Sequence, residues 1–115
     1  MTYFIRKGNK YNNIPQLYNG NRYDSKKESE FARELDLRLK TKDIKAWERQ
    51  VKIELRVNGY LICNYYMDFV IMNNDGSKEY IEVKGFETQV WQLKKKLFEA
   101  LLPEIDPGAE YVIVK

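Results

Sequence analysis

Four residues of this 115-residue chain have the types and spacing used for metal-dependent chemistry on phosphate groups. Asp68 lies in an apolar stretch, Glu82 and Lys84 follow two positions apart after a short turn, and Glu28 begins a helical pattern. Carboxylates bind Mg²⁺ and leave coordination positions for water and phosphate oxygens. A neighbouring lysine can orient the attacking water or stabilise charge on the reacting phosphate. These four residues therefore form our candidate site.

Composition excludes several other kinds of chemistry. The sequence has no histidine, which excludes a Ser-His-Asp triad, a Cys-His pair and a histidine general base. Its single cysteine, Cys63, cannot form an internal disulfide or a zinc site, and it fits a reducing cytoplasm. Any metal is expected to be a hard cation bound by oxygens, with Mg²⁺ first and Mn²⁺ as an alternative. No apolar run or N-terminal signal suggests a membrane, so we expect a cytoplasmic protein.

Basic residues are concentrated in two regions. The net charge is only +3, but residues 1–27 contain a single acidic residue and include Lys26 and Lys27. The second cluster is Lys94, Lys95 and Lys96. Two basic regions on one small domain suit a nucleic-acid backbone, although a solvated surface is the alternative for each.

The chain reads as one domain, residues 1–115, with residues 1–23 as an N-terminal arm that includes a short strand near 19–23. Helical periodicity is expected over 25–40, where Asp24 or Ser25 caps the helix, and over 88–102, where Pro103 and Pro107 end it. Strands are expected over 51–57, 60–72, 78–84 and 110–115. The order α-β-β-β-α-β predicts an α/β (α+β) fold, a mixed central sheet flanked by helices.

Glu28 is predicted to lie on the apolar side of the first helix. At about 100° per residue, all of the nearest apolar side chains fall within about 60° of it: Phe31, Ala32, Leu35 and Leu39. A carboxylate directed at the core must be paired or must bind a cation. The alternative is a capping box, in which Glu28 bonds back to Ser25.

The turn at 73–77 decides whether Asp68 and Glu82 meet. Strict alternation places Tyr66, Asp68 and Val70 on one face of their strand. A three-residue loop with Gly76 in the left-handed conformation pairs Asp68 with Glu82, where a cation would relieve their repulsion. A two-residue loop sends Glu82 to the opposite face, and an ion pair between Asp68 and a lysine is a further alternative.

The order of these motifs resembles a known superfamily. Asp68, thirteen intervening residues and Glu82-Val83-Lys84 resemble the D…(D/E)-X-K signature of the PD-(D/E)XK nucleases. Further segments resemble small, largely phage-encoded proteins of that superfamily, in the same order over residues 19–102: 23–28, 47–50, 68–69, 82–85, Thr88 and 94–97. One departure is Met67, which stands where the superfamily name implies proline.

The resemblance implies a restriction-endonuclease-like fold and a Mg²⁺-dependent DNA endonuclease. It implies that Asp68, Glu82 and Glu28 bind the metal, that Lys84 is the catalytic lysine and that Gln50 lies at the edge of the site. Lys26, Lys27 and Lys94–Lys96 would contact DNA. Similar phage enzymes include Holliday-junction resolvases, which act as homodimers on branched DNA in recombination or replication.

Two other classes of function remain open in the sequence. A non-catalytic DNA-binding or recombination accessory module could retain the same fold. However, such a module has no need of three carboxylates, which repel phosphate. A sheet-based protein-interaction module could use some of the nine tyrosines. A dimer would be expected to use the apolar residues of the arm, although the arm could instead cover an edge of its own sheet.

Overall fold

The computed structural model describes residues 16–18, 21–23 and 25–115. Two short strands come first, followed by the predicted order α-β-β-β-α-β, which is confirmed. The elements are β1 (Gln16–Tyr18), β2 (Asn21–Tyr23), α1 (Lys26–Lys40), β3 (Ala46–Val57), β4 (Tyr60–Met72), β5 (Lys78–Val83), α2 (Gln89–Ile105) and β6 (Glu110–Val114).

The central sheet is mixed, as predicted. Its strand order is β3-β4-β5-β6, with antiparallel pairing from β3 to β5 and parallel pairing between β5 and β6. The parallel pair requires a crossover, which α2 provides. Strands β1 and β2 form a separate antiparallel hairpin that lies against α1. Within the described residues, no helix is long and apolar enough to cross a membrane.

The first helix begins at one of its two predicted caps, and the second has its cap at the first residue of its predicted range, but α2 ends later than expected. Ser25 Oγ accepts the Glu28 N–H at 3.2 Å, and Thr88 Oγ1 accepts the Trp91 N–H at 3.0 Å. The expectation that Pro103 ends α2 is wrong, because the helix continues to Ile105. Proline removes only one donor, and the Asp106 N–H still bonds to the Leu102 carbonyl at 2.9 Å.

The turn between β4 and β5 has the three-residue form. The Asn73 N–H bonds to the Ser77 carbonyl at 2.8 Å, and Gly76 adopts a φ of +90°. Phe69 pairs with Ile81, so the same register places Asp68 level with Glu82. A glycine tolerates this φ without steric cost, which is why the sequence favours this loop.

Two apolar clusters lie on opposite faces of the sheet, because neighbouring residues of β5 alternate between them. The first cluster includes Ala32 and Leu35 of α1, and the second includes Trp91 and Phe98 of α2. In β3 and β4, the odd-numbered side chains belong to one cluster in one half of the strand and to the other cluster in the other half. The odd-numbered members in the first cluster are Trp47, Phe69 and Ile71, and those in the second are Val51, Ile53, Leu55, Cys63, Tyr65 and Met67.

This exchange of faces corrects the strict alternation expected for β4. Met67 and Val70 share the second cluster, although alternation placed them on opposite faces. The exchange occurs level with Gln50 and Asp68, where the ladder between β3 and β4 is interrupted although its register continues. Gln50 adopts a left-handed φ of +51°, which an ordinary strand residue does not.

Some positions expected to be buried are exposed. Leu39 of α1 is 39% exposed, and Val90 and Leu93, which the helical pattern over 88–102 places among its apolar positions, are 66% and 68% exposed. The beginning of β4 is apolar yet exposed at Tyr60, Leu61 and Ile62. This part of β4 extends past β5 and pairs with β3 alone.

Candidate active site

Asp68 lies where β4 and β5 separate. The antiparallel ladder between these strands reaches Phe69 and Ile81. Beyond that pair, the Val83 N–H donates to Asp68 Oδ2 at 2.8 Å, so a side chain takes the place of a strand carbonyl. The amide Nε2 of Gln50 donates to Asp68 Oδ1 at 3.2 Å. Both oxygens of this carboxylate are therefore oriented by groups from the neighbouring strands.

Glu82 is a buried carboxylate with a partner on each oxygen. Its residue is 5% exposed. The Tyr65 hydroxyl donates to Oε1 at 2.9 Å, and Lys84 Nζ lies 3.5 Å from Oε2. Lys84 Nζ also lies 4.8 Å from the centroid of the Trp91 ring, within the range of a cation–π contact. The lysine is therefore held between a carboxylate and an aromatic face.

Glu28 enters the site from α1. It is buried in the first turn of that helix, as its place on the apolar side predicted. Its backbone N–H donates to Ser25 Oγ, which is one of the two hydrogen bonds of a capping box. Its carboxylate is close enough to Asp68 to raise the pKa of that residue. Among the residues that the structure describes, the ion pair with a lysine is made by Glu82, and not by Asp68.

The acidity of the two strand carboxylates reflects burial and like charge. Removal from water raises the pKa of Asp68, and the carboxylates of Glu28 and Glu82 raise it further. Burial also raises the pKa of Glu82, while Lys84 and the Tyr65 hydroxyl act in the opposite direction. The site therefore concentrates negative charge that a cation would stabilise.

Three aromatic residues that the sequence did not indicate complete the surroundings of Glu82. The Tyr65 hydroxyl lies 2.7 Å from the Tyr111 hydroxyl, and Trp91 Nε1 donates to it at 3.2 Å. Burial and the Glu82 charge raise the pKa of Tyr65, which therefore stays protonated as a donor. Strict alternation placed Tyr66, and not Tyr65, on the face of Asp68, so no sequence signal selected Tyr65.

The basic residues differ in what they contact. Lys26 and Lys27 are exposed in the first turn of α1, directly before Glu28. On α2, Lys94 Nζ donates to the Asn64 carbonyl at 2.9 Å, and Lys95 pairs with Glu99 at 3.3 Å. Lys96 is exposed. Of the three helix lysines, two already have partners within the chain.

The donor set suits a hard divalent cation. Within the described residues, no three acidic, histidine or cysteine side chains are close enough together to form a ready-made ion site. Mg²⁺ does not need one, because it is commonly bound by one or two carboxylates together with water and phosphate oxygens. Asp68 and Glu82 fit that requirement, with Glu28 nearby, and burial, which raises the pKa of both strand carboxylates, makes their charges costly without a cation.

Fold and site together define an α+β domain with buried carboxylates and a lysine where two central strands separate. The chain belongs to a family described as proteins of unknown function, DUF1064, whose profile matches residues 8–111. No curated protein and no solved structure matches the chain.

Proposed function

We propose that this protein is a metal-dependent DNA endonuclease that hydrolyses phosphodiester bonds. The observation that carries the proposal is the placement of Asp68, Glu82 and Lys84 at one point of the sheet, with Glu28 beside them. Carboxylates that are buried beside one another destabilise a fold unless a cation or a proton joins them. The sequence resemblance to PD-(D/E)XK nucleases supports the same conclusion.

Each residue of the site has a role that follows from its chemistry. Asp68 and Glu82, with Glu28, would hold Mg²⁺ or Mn²⁺, which supplies polarisation of the phosphate and acidification of a bound water. Lys84 carries its positive charge beside the carboxylates that would hold the metal, and it would stabilise the negative charge that develops on the oxygens of the pentavalent phosphorane. Gln50 fixes the orientation of the Asp68 carboxylate through its amide.

The proposed substrate is DNA, with branched DNA such as a Holliday junction as the first candidate. A junction presents two symmetry-related phosphates, so this substrate calls for a homodimer with two sites. The single cysteine, Cys63, which is free, suits a reducing cytoplasm, or the host cytoplasm for a phage protein.

A cleavage panel tests the proposal. Branched, flapped, single-stranded and linear DNA are each incubated with Mg²⁺, Mn²⁺ or EDTA. We expect metal-dependent cleavage of at least one substrate, abolished by Asp68→Ala and by Glu82→Ala in folded protein. Binding without cleavage by the wild type would leave the non-catalytic DNA-binding module as the function, and wild-type rates in either variant would exclude this site.

Lys84→Met separates catalysis from binding. We expect this variant to retain metal and DNA binding and to lose most turnover, because the lysine acts on the reacting groups. Lys78→Met is the matched control, since Lys78 is the first residue of β5 and Lys84 directly follows its last residue. If Lys84→Met no longer binds Mg²⁺ while Asp68→Ala still does, the metal-binding role of Asp68 and the catalytic role of Lys84 are wrongly assigned.

A further inference from the structure

We propose that Tyr65 is a positioning residue that holds Glu82 so that one carboxylate oxygen remains available to a divalent cation. This inference rests on the proposed metal-dependent function. Tyr65 comes from β4, Trp91 from α2 and Tyr111 from β6, and all three meet at one hydroxyl. The contact therefore ties Glu82 on β5 to three other elements of the fold.

The hydrogen bonds at the Tyr65 hydroxyl can be assigned by counting donors. A hydroxyl has one proton and two acceptor lone pairs. Its proton goes to Glu82 Oε1, because an ionised carboxylate only accepts. Trp91 Nε1 is only a donor, so it fills one lone pair. The Tyr111 hydroxyl must then be the donor in its 2.7 Å contact with Tyr65, and it fills the second.

This assignment leaves the Tyr65 hydroxyl with no spare donor or acceptor, and its orientation is fixed. The residue is 3% exposed, so water does not compete for these bonds. Glu82 Oε1 is committed to Tyr65, while Oε2 lies toward Lys84. Oε2 makes no bond to Tyr65 and has the longer, 3.5 Å contact with Lys84 Nζ, so a cation would bind Glu82 through this single oxygen, beside the lysine.

The same network extends to the catalytic lysine. Trp91 donates its N–H to Tyr65 and presents its ring to Lys84 Nζ. The positions of the carboxylate and of the lysine therefore depend on one indole. Groups that hydrogen-bond to metal ligands typically change metal affinity or activity by about 10–100-fold when they are removed.

Tyr80 offers a closely matched control for Tyr65→Phe. Both tyrosines are buried, and both pack edge-on against Phe98, at 5.6 Å for Tyr65 and 5.4 Å for Tyr80. The Tyr80 hydroxyl donates to Asp106 at 2.8 Å, which is not part of the site. Tyr80→Phe therefore removes a buried hydroxyl from the same cluster without touching Glu82.

The experiment titrates Mg²⁺ and Mn²⁺ by calorimetry into the full-length wild type and the Tyr65→Phe, Tyr111→Phe and Tyr80→Phe variants, without DNA. We expect Tyr65→Phe to weaken metal binding by about 10–100-fold. Tyr111→Phe should weaken it less, because Tyr111 acts only through Tyr65, and Tyr80→Phe should leave it unchanged. In cleavage assays, Tyr65→Phe should need more metal for half-maximal rate and recover most of the rate at saturation.

The possible results are distinguishable. Should Tyr65→Phe unfold, the order of the Tyr111→Phe and Tyr80→Phe affinities decides the question. If Tyr65→Phe and Tyr111→Phe both bind metal as tightly as Tyr80→Phe, the positioning role is overturned while the nuclease proposal stays intact. A wild type that binds neither cation and cleaves nothing would overturn both.

Discussion

At Asp68, burial and neighbouring charge act in the same direction. Removal from water and the carboxylates of Glu28 and Glu82 raise its pKa, while the Val83 N–H and Lys84 act in the opposite direction. An acid with a raised pKa in the folded state binds its proton more tightly there than in the unfolded chain. Ionisation of Asp68 therefore does not lower the stability of the fold below the ordinary pKa of an aspartate. It lowers the stability most above the raised pKa of the folded state.

We expect Asp68→Asn to raise the melting temperature of the metal-free protein at pH 8. The gain should be on the order of 1 kcal/mol, the usual size of a single-substitution effect, and it should shrink as the pH falls through the raised pKa. Thermal melts in EDTA from pH 4 to pH 9 measure it. Added Mg²⁺ should stabilise the wild type and not the variant.

Asp75→Asn is the control for this prediction. Hydrogen bonds from Ser77 lower the pKa of Asp75, which lies in the exposed turn between β4 and β5. Its ionised form is therefore favoured in the folded state, and the pH dependence should have the opposite sign. An Asp68→Asn variant that melts below the wild type at pH 8 would show that the Asp68 charge is already compensated without metal.

The sequence predicted the charged residues of the site better than the aromatic ones. Glu28 could be placed because a helix has a fixed period, and its place on the apolar side was enough to predict burial. Tyr65 could not be placed, because its side chain reaches Glu82 only after β4 has exchanged faces near Asp68. The exchange occurs level with Gln50, whose left-handed φ cannot be predicted from the sequence because glutamine rarely adopts it.

At the scale of the element, β3 carries the unusual conformation that shapes the site. Gln50 has a left-handed φ within a strand, while Arg49 and Val51 on either side keep their pairing with β4. Left-handed backbone is costly for residues with a Cβ and persists where other contacts fix it. The hydrogen bond from Gln50 to Asp68 is one such contact.

We expect Gln50→Gly to be more stable than Gln50→Ala by about 1 kcal/mol, because glycine adopts this φ freely and alanine does not. In an ordinary strand interior, the order would be reversed. Both variants lose the amide donor to Asp68, so both should lose activity while differing in stability. Urea unfolding of the two variants measures the difference, and an alanine variant at least as stable as the glycine variant would refute it.

The turns and helix ends show where element prediction succeeded and where it failed. The sequence at 73–77 allowed two registers, and the position of Gly76 favoured the one observed. Proline was the poorer guide, since α2 continues through Pro103 to Ile105. A proline disfavours helix for the residue before it and removes one donor, and tertiary packing at the end of a helix can outweigh both effects.

At the scale of the whole molecule, the basic residues on α2 are not equivalent. Helical spacing spreads three consecutive residues over about 200°, so not all three can face one duplex, and it favours Lys94 or Lys95 as the main DNA contact. In the folded chain, Lys94 is bound to the Asn64 carbonyl and Lys95 to Glu99. Lys96 makes no such contact within the described part of the chain, so it can meet a phosphate without breaking an existing interaction.

We therefore expect Lys96→Gln to reduce the slope of log K against log salt by about 0.9, the value for one lost phosphate contact. Lys95→Gln should change it less, because the wild-type lysine is already partly neutralised by Glu99. Fluorescence anisotropy with DNA over a range of salt concentrations, using Asp68→Asn protein to prevent cleavage, measures both slopes. An unchanged slope after neutralising Lys94, Lys95 and Lys96 together would identify a solvated face.

Assembly is the last feature that the proposed substrate demands. The proposed site comprises one copy each of Asp68, Glu82 and Lys84, whereas resolving a junction requires two cuts. The described part of the arm, β1 and β2, lies against its own α1. Its apolar residues at Tyr3, Phe4, Ile5, Tyr11 and Ile14 lie outside the described residues. Exposed apolar side chains elsewhere, such as Tyr60 and Leu93, are available for an intermolecular contact.

We expect the protein to sediment as a dimer at micromolar concentration, alone or on branched DNA. Because each subunit of a dimer cuts one strand, mixing wild type with excess Asp68→Asn protein should convert a cruciform plasmid to nicked circles and suppress the linear product. Simple dilution of wild type with buffer is the control, and it should lower both products together. A chain that stays monomeric with and without DNA, and whose linear product survives mixing, would exclude the resolvase and leave a monomeric nicking or flap nuclease.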